Sequence, residues 1–222
     1  MGRLLRVMLF TSALAVGTIA QIVAVPAHHE DFQSWNNIQL TVPMSPHFDF
    51  FTRLDLRFVN DLKNLNDERF AIGFVWKPSN ALSITPSYIY VDEGNPPGRF
   101  RLENRLSLAA TYRFPIQRFG LSHKSAIERR ERRPLKSWRY RGQLTCEKAL
   151  PEKFISKSKF VISDEVFYDT LIGRISRNRF AVGITKTLDR HLSMDIYYMR
   201  QNDGVARPGD LNVIGTAWKF KL

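Results

Sequence analysis

The sequence predicts an all-β fold, an antiparallel up-and-down barrel of ten to twelve strands with twelve favoured. Three observations predict it. Apolar and polar residues alternate with period two in segment after segment, and the segments recur at hairpin spacing. Beyond residue 27 no apolar run approaches the length of a membrane-spanning helix. A strand sends successive side chains to opposite faces, whereas a helix of 3.6 residues per turn would scatter both sets round its circumference.

The segments follow in order. Gln33–Met44 alternates imperfectly. In His47–Asn60, Phe48, Phe50, Leu54, Leu56 and Phe58 oppose Asp49, Arg53, Asp55 and Arg57. In Arg69–Pro78, Phe70, Ile72, Phe74 and Trp76 oppose Arg69, Ala71, Gly73 and Lys77. Leu82, Ile84, Tyr88 and Tyr90 oppose Ser83, Thr85 and Ser87. Gly98–Phe114 is the longest clean case: Phe100, Leu102, Leu106, Leu108, Ala110, Tyr112 and Phe114 against Arg101, Glu103, Arg105, Ser107, Thr111 and Arg113. Phe119–Arg132 is less regular. Ser137–Lys148 sets Trp138, Tyr140, Leu144 and Cys146 against Arg139, Arg141, Gln143, Thr145 and Glu147. Lys157–Asp169 is again irregular, Arg179–Lys186 is clean, Arg190–Gln201 is irregular, and Leu211–Leu222 ends the series. Asn104, His123 and Asp164 fall on apolar faces, which marks strand ends or bulges there. The connections KPSN, PIQR and LDR are short, and VDEGNPPGR, RRERRPLKS, DTLIGRISR and RQNDGVARPGD are long, so short turns are expected at one end and longer loops at the other.

Which face points inward follows from three features. The apolar faces carry too many bulky side chains to fill one small barrel, which argues against a soluble lipocalin-like binding barrel. Aromatics gather near strand ends: Trp76, Phe114, Phe119, Trp218 and Phe220 towards the short turns, and Tyr90, Phe100, Trp138, Tyr140, Tyr168 and Tyr198 towards the long loops. Two such belts match the two membrane interfaces. The opposite face mixes small residues with paired charges, as a crowded polar lumen does. Lipid offers no partners to backbone N–H and C=O groups, so strands span it only in a closed barrel.

Composition bounds the rest. The formal charge is +12 and the pI about 10.1, which suits nucleic acid, an anionic membrane surface or a basic channel. Cys146 is the single cysteine, so no internal disulfide or cysteine-rich zinc site forms. The start has Arg3 and Arg6, an apolar stretch from Val7 to Ala20, then small residues. That is a secretory signal over 1–27, with cleavage after Ala27 or Ala20; a single helical anchor is the alternative. Export argues against nucleic acid as partner and for the bacterial outer membrane. The barrel domain is then 28–222.

The chain resembles the exported barrel-like proteins of domain-of-unknown-function family 2490. The resemblance runs from about Trp35 to Leu222 and rests on FRLENRL, AIERRER leading into SWRYRGQL, SDEVF, RNRFAVGI and MDIYYMRQND. It implies an outer-membrane location in a Gram-negative cell and no known activity. The ending GTAWKFKL resembles the terminal signal for barrel assembly, with Gly215, Trp218, Phe220 and Leu222 as contacts of the assembly machinery.

The inward set comprises Arg53, Arg57, Arg69, Lys77, Arg101, Arg105, Arg113, Lys124, Arg130, Arg139, Arg141, Lys159, Arg179, Lys219 and Lys221, with Asp49, Asp55, Glu103, Glu128, Glu147, Glu165 and Asp195. Either Arg–Glu networks fill the barrel, or a narrow basic pore passes small anions. No cofactor or metal site is expected, and no enzyme. The enzymatic alternative is a lipid-modifying activity of His123 and Ser125, whose H-x-S spacing resembles that of lipid A deacylases. The basic run Ile127–Arg141 reads as a solvated loop, or as contacts from Arg132 and Arg133 to lipopolysaccharide phosphates. An even strand count would leave Gln33–Met44 inside the lumen or require a missed strand.

Overall fold

The computed structural model describes residues 30–94, 100–206 and 209–222, with backbone alone at 100 and 101. The segment 1–27, expected from the sequence to be a secretory signal, and the side chains of Phe100 and Arg101 lie outside the described residues. Eleven strands follow one another: β1 (Asp31–Ser45), β2 (Phe48–Val59), β3 (Asn64–Trp76), β4 (Leu82–Gly94), β5 (Phe100–Phe114), β6 (Gly120–Arg132), β7 (Leu135–Ala149), β8 (Ser158–Asp169), β9 (Arg174–Thr187), β10 (Leu192–Asp203) and β11 (Leu211–Lys221). Each pairs antiparallel with its neighbour in sequence, and β1 closes the cylinder against β11.

That closure corrects the expected strand count of twelve. β1 runs parallel to β11, from Asp31 opposite Leu211 to Thr41 opposite Lys221. An odd number of alternating strands brings the first and last together pointing the same way, and a parallel ladder then satisfies both edges. The first segment is therefore a wall strand rather than a lumenal insert.

The expected asymmetry of connections is also corrected. At one end, here the base, the connections are 46–47, 77–81, 115–119, 150–157 and 188–191; at the other, the rim, the described ones include 60–63, 133–134 and 170–173. The strands run on through the charged segments counted as loop. Only 133–134 turn between β6 and β7, because Arg130 and Arg132 find partners inside the cylinder while Arg129 and Glu131 pair with each other outside.

The two faces separate as the alternation requires. Leu106 is 63% exposed and Leu108 50%, on the outside; Glu103 and Glu128, on the inside, are 1% and 0% exposed. Asn104, His123 and Asp164 sit neither at strand ends nor at bulges. The ladders are regular there, the register shifts falling at Pro43/Ser45, Arg57/Phe58 and Phe167/Tyr168. Each outward polar group instead has a partner on its own face: Asn104 takes the Tyr88 hydroxyl at 2.5 Å, Asp164 takes Asn178 at 2.8 Å, and His123 meets Ser125 at 3.0 Å.

Candidate functional site: the lumenal cavity

Strand alternation repeats one face every second residue, so charges two apart on one strand meet charges directly across the ladder. Glu103 receives Arg105 of its own strand, Arg130 of β6 at 2.8 and 3.0 Å, and Arg132 at 2.7 Å. Arg130 also reaches Asp169 at 2.8 Å. Glu128 lies opposite Arg139, which it binds, and takes Arg141 at 2.7 Å; Arg141 passes on to Glu165 at 2.5 Å. A second cluster joins Asp67 to Arg69 and, at 3.3 Å, to Arg57, and Arg177 donates to Asp203 at 2.6 Å. Buried charges are tolerated only when paired and hydrogen-bonded, and forked guanidinium–carboxylate contacts do both.

Aromatic rings stand among these cations. The Arg179 guanidinium carbon lies 4.7 Å from the Phe167 ring centre and 4.7 Å from that of Trp35. Arg57 lies 3.5 Å from Trp35, and Arg141 5.0 Å from Phe167.

The network surrounds a cavity of about 770 Å³, lined by ten arginines and by Asp55, Glu93, Glu165, Asp169, Asp195 and Asp203. Its lining runs from Glu93, Arg132, Leu171 and Val205 at the rim, past Asn37, Arg53 and Gln143 near mid-height, to Val161, Thr185 and Asp195 within four residues of the base ends of β8, β9 and β10. Of the inward charges nearer the base, Asp195 lines it, and Asp49, Lys77, Arg113, Lys124, Glu147, Lys159 and Lys219 do not. At the waist the inward-facing alanines of β3, β5, β6 and β11 are covered, Ala71 being 1% exposed, Ala217 4%, Ala109 6% and Ala126 8%, while Ala181 of β9 lines the cavity. Phe51 is one of the groups packed there, its ring against Gly73.

Of the lumenal residues named from the sequence, Arg53, Asp55, Arg57, Arg69, Arg105, Arg130, Arg139, Arg141, Glu165, Arg179 and Asp195 line this cavity. Glu103 and Glu128 sit behind the arginines. Arg113 and Glu147 lie near the base, the latter 3.3 Å from Lys159. Sequence reasoning missed the rim acids Asp31, Asp67, Glu93, Asp169 and Asp203, the arginines Arg132 and Arg177, and the lumenal rings of Trp35, Phe51, Phe167 and Tyr197. Parity carried the signal: Asp169 keeps step with Glu165 and Phe167, and Asp203 with Gln201. The reading of Arg132 as a loop residue facing lipopolysaccharide is corrected by its bonds to Glu103 and Glu93.

The interface aromatics named from the sequence lie on the outside near both ends. Trp76, Tyr90, Phe119, Trp138, Tyr140, Tyr168, Tyr198 and Phe220 are exposed, and Phe114 and Trp218 partly so. His123 and Ser125 also face outward. The ladder neighbours of His123 are Tyr112 and Leu144, so no carboxylate reaches its ring across either ladder.

No curated protein sequence matches the chain. Among solved structures, the anion-selective porin from Comamonas acidovorans is similar at 10% identity with a TM-score of 0.40, over 79% of this chain and 54% of that one. The chain thus spans about half the length of that porin. Residues 32–212 match the family described as Protein of unknown function (DUF2490), and the chain belongs to it.

Proposed function

We propose that the chain is an outer-membrane β-barrel of a Gram-negative cell whose lumen is closed to through-flow. Its outward Leu, Ile and Phe side chains and inward ion pairs support a lipid-exposed wall, since a soluble barrel would reverse the two. The observation that carries the closure is the burial of inward Ala71, Ala109, Ala126 and Ala217, which in an open pore would be wet. Charge bonds between strands then staple the wall from within.

Reconstitution into planar bilayers tests this reading, with no single-channel steps expected. The second reading, a narrow anion pore, is favoured by the ten cavity-lining arginines against six carboxylates. Discrete steps with anion preference would establish it and remove the first. The same proposal assigns no reaction to His123 and Ser125, so membrane lipid esters stay intact when the chain is overexpressed.

A further inference from the structure

Two arginines in the cavity are under-paired. Arg57 has its carboxylate, Asp67, at 3.3 Å, and shares it with Arg69, which binds it more closely. Arg179 has Glu165 at 3.8 Å, already held by Arg141 at 2.5 Å, and its Nε donates to the neutral Gln201 at 2.8 Å. Both guanidinium groups rest against Trp35, at 3.5 and 4.7 Å from its ring centre. Their carbons are therefore no farther apart than the sum of those distances, about 8 Å. Two like charges so placed in a protein-walled space repel appreciably, and the ring fixes rather than neutralises them. Met199, Leu211 and Val213 pack with Trp35 and supply no carboxylate, and Asp55, two residues from Arg57 on the same face, is held by Arg53 at 3.1 Å.

We propose that this rim-side cavity binds a small oxyanion carrying two or more negative charges, phosphate or carboxylate, held by Arg57 and Arg179 against Trp35. The inference rests on the closed-barrel reading, in which the cavity receives a ligand instead of conducting it. Guanidinium forks match the geometry of phosphate and carboxylate oxygens, which selects this class over halide. A cavity of about 770 Å³ is of metabolite size. Leu171 and Val205 place its lining at the rim, which sets the side of entry.

The full chain, purified in detergent with Trp76, Trp138 and Trp218 changed to Phe, leaves Trp35 as the single emitter. Inorganic pyrophosphate and citrate serve as probes. A saturable change in Trp35 emission is expected with at least one of them, weakening steeply as sodium chloride rises. Pyrophosphate alone responding indicates a phosphate ligand, and citrate alone a polycarboxylate. Arg57→Gln and Arg179→Gln each weaken binding by about tenfold or more, Arg179→Lys by less, and Arg113→Gln near the base leaves it unchanged. No saturable response to either probe, or an unaltered affinity in both glutamine variants, overturns the site. Salt dependence in the unsubstituted lumen keeps the test decisive should a glutamine variant fail to fold. Single-channel steps would overturn closure while leaving this binding result standing, so the two failures are distinct.

Discussion

The wall of β5 to β8 and the seam where β11 meets β1 are built with opposite polarity. Along β5–β8 the outside is Leu106, Leu108, Leu144 and Ile162, and the inside is Glu103, Arg105, Glu128, Arg139 and Glu165. At the seam the inside is Trp35, Met199, Leu211 and Val213, while the rim half of the outside carries Ser34, Asn36, Asn212, Thr216 and Arg200. Arg200 there binds Glu30 at 2.8 Å and Asp210 at 3.0 Å, and holds the Glu30 carboxyl below the usual carboxylate range. One wall is therefore joined by charge within and grease without. The other is joined within by the packing of Trp35, Met199, Leu211 and Val213 beside the buried Gln33 and Asp31, and without by side-chain hydrogen bonds and the Arg200 ion pairs. Tyr197 shows the seam packing: its ring lies on Gly215, where any Cβ would overlap it.

Removing a charge from the first wall has the largest expected effect. Glu128→Gln leaves Arg139 and Arg141 without their shared carboxylate, which is itself fully buried. Breaking a buried pair this way costs about 3–5 kcal/mol, read from reversible denaturant unfolding in detergent. A loss under about 1 kcal/mol would mean that water reaches the network, and the contrast between the walls would fail.

The outside gives the next largest effect. Leu106→Arg, near the middle of β5, costs about 2–4 kcal/mol if hydrocarbon covers it, whereas Asn212→Arg near the rim of the seam costs about 0–1 kcal/mol. Unfolding in lipid vesicles compares them. Equal costs would place the two positions in the same medium and dissolve the difference between the walls.

How much of this could be read in the sequence follows from what alternation contains. Period two fixes which residues share a face, so the β5 pattern gave Glu103 and Arg105 against Leu102 and Leu106 directly. It has no direction, so it does not show that β1 runs parallel to β11, which is what lets an odd number of strands close. Nor does it say where a strand ends. Asp67, Glu93, Asp169 and Asp203 read as loop residues because charge and Gly/Pro content near a turn look alike whether paired or solvated. The Trp35 pairing with Arg57 and Arg179 joins residues from β1, β2 and β9, a proximity that only the closed cylinder creates.

The smallest effect tests the seam itself. Parallel ladders bond slightly less well per residue than antiparallel ones, so side-chain bonds across this ladder matter more than elsewhere. Thr216 Oγ1 donates to Asn36 Oδ1 at 2.7 Å across the seam, and Asn36 Nδ2 donates to Ser34 Oγ at 3.0 Å. Both lie near the middle of their strands on the outer face. A double-mutant cycle of Asn36→Val and Thr216→Val should give a coupling of about 0.6 kcal/mol, the usual worth of such a bond in a membrane. If the outer face lies in lipid, as proposed, each single variant strands a polar group there, while the double variant recovers stability because two apolar groups then face it. Additive losses with no coupling would show that the backbone ladder alone closes the barrel, and that the polar outer stripe contributes nothing to holding its first and last strands together.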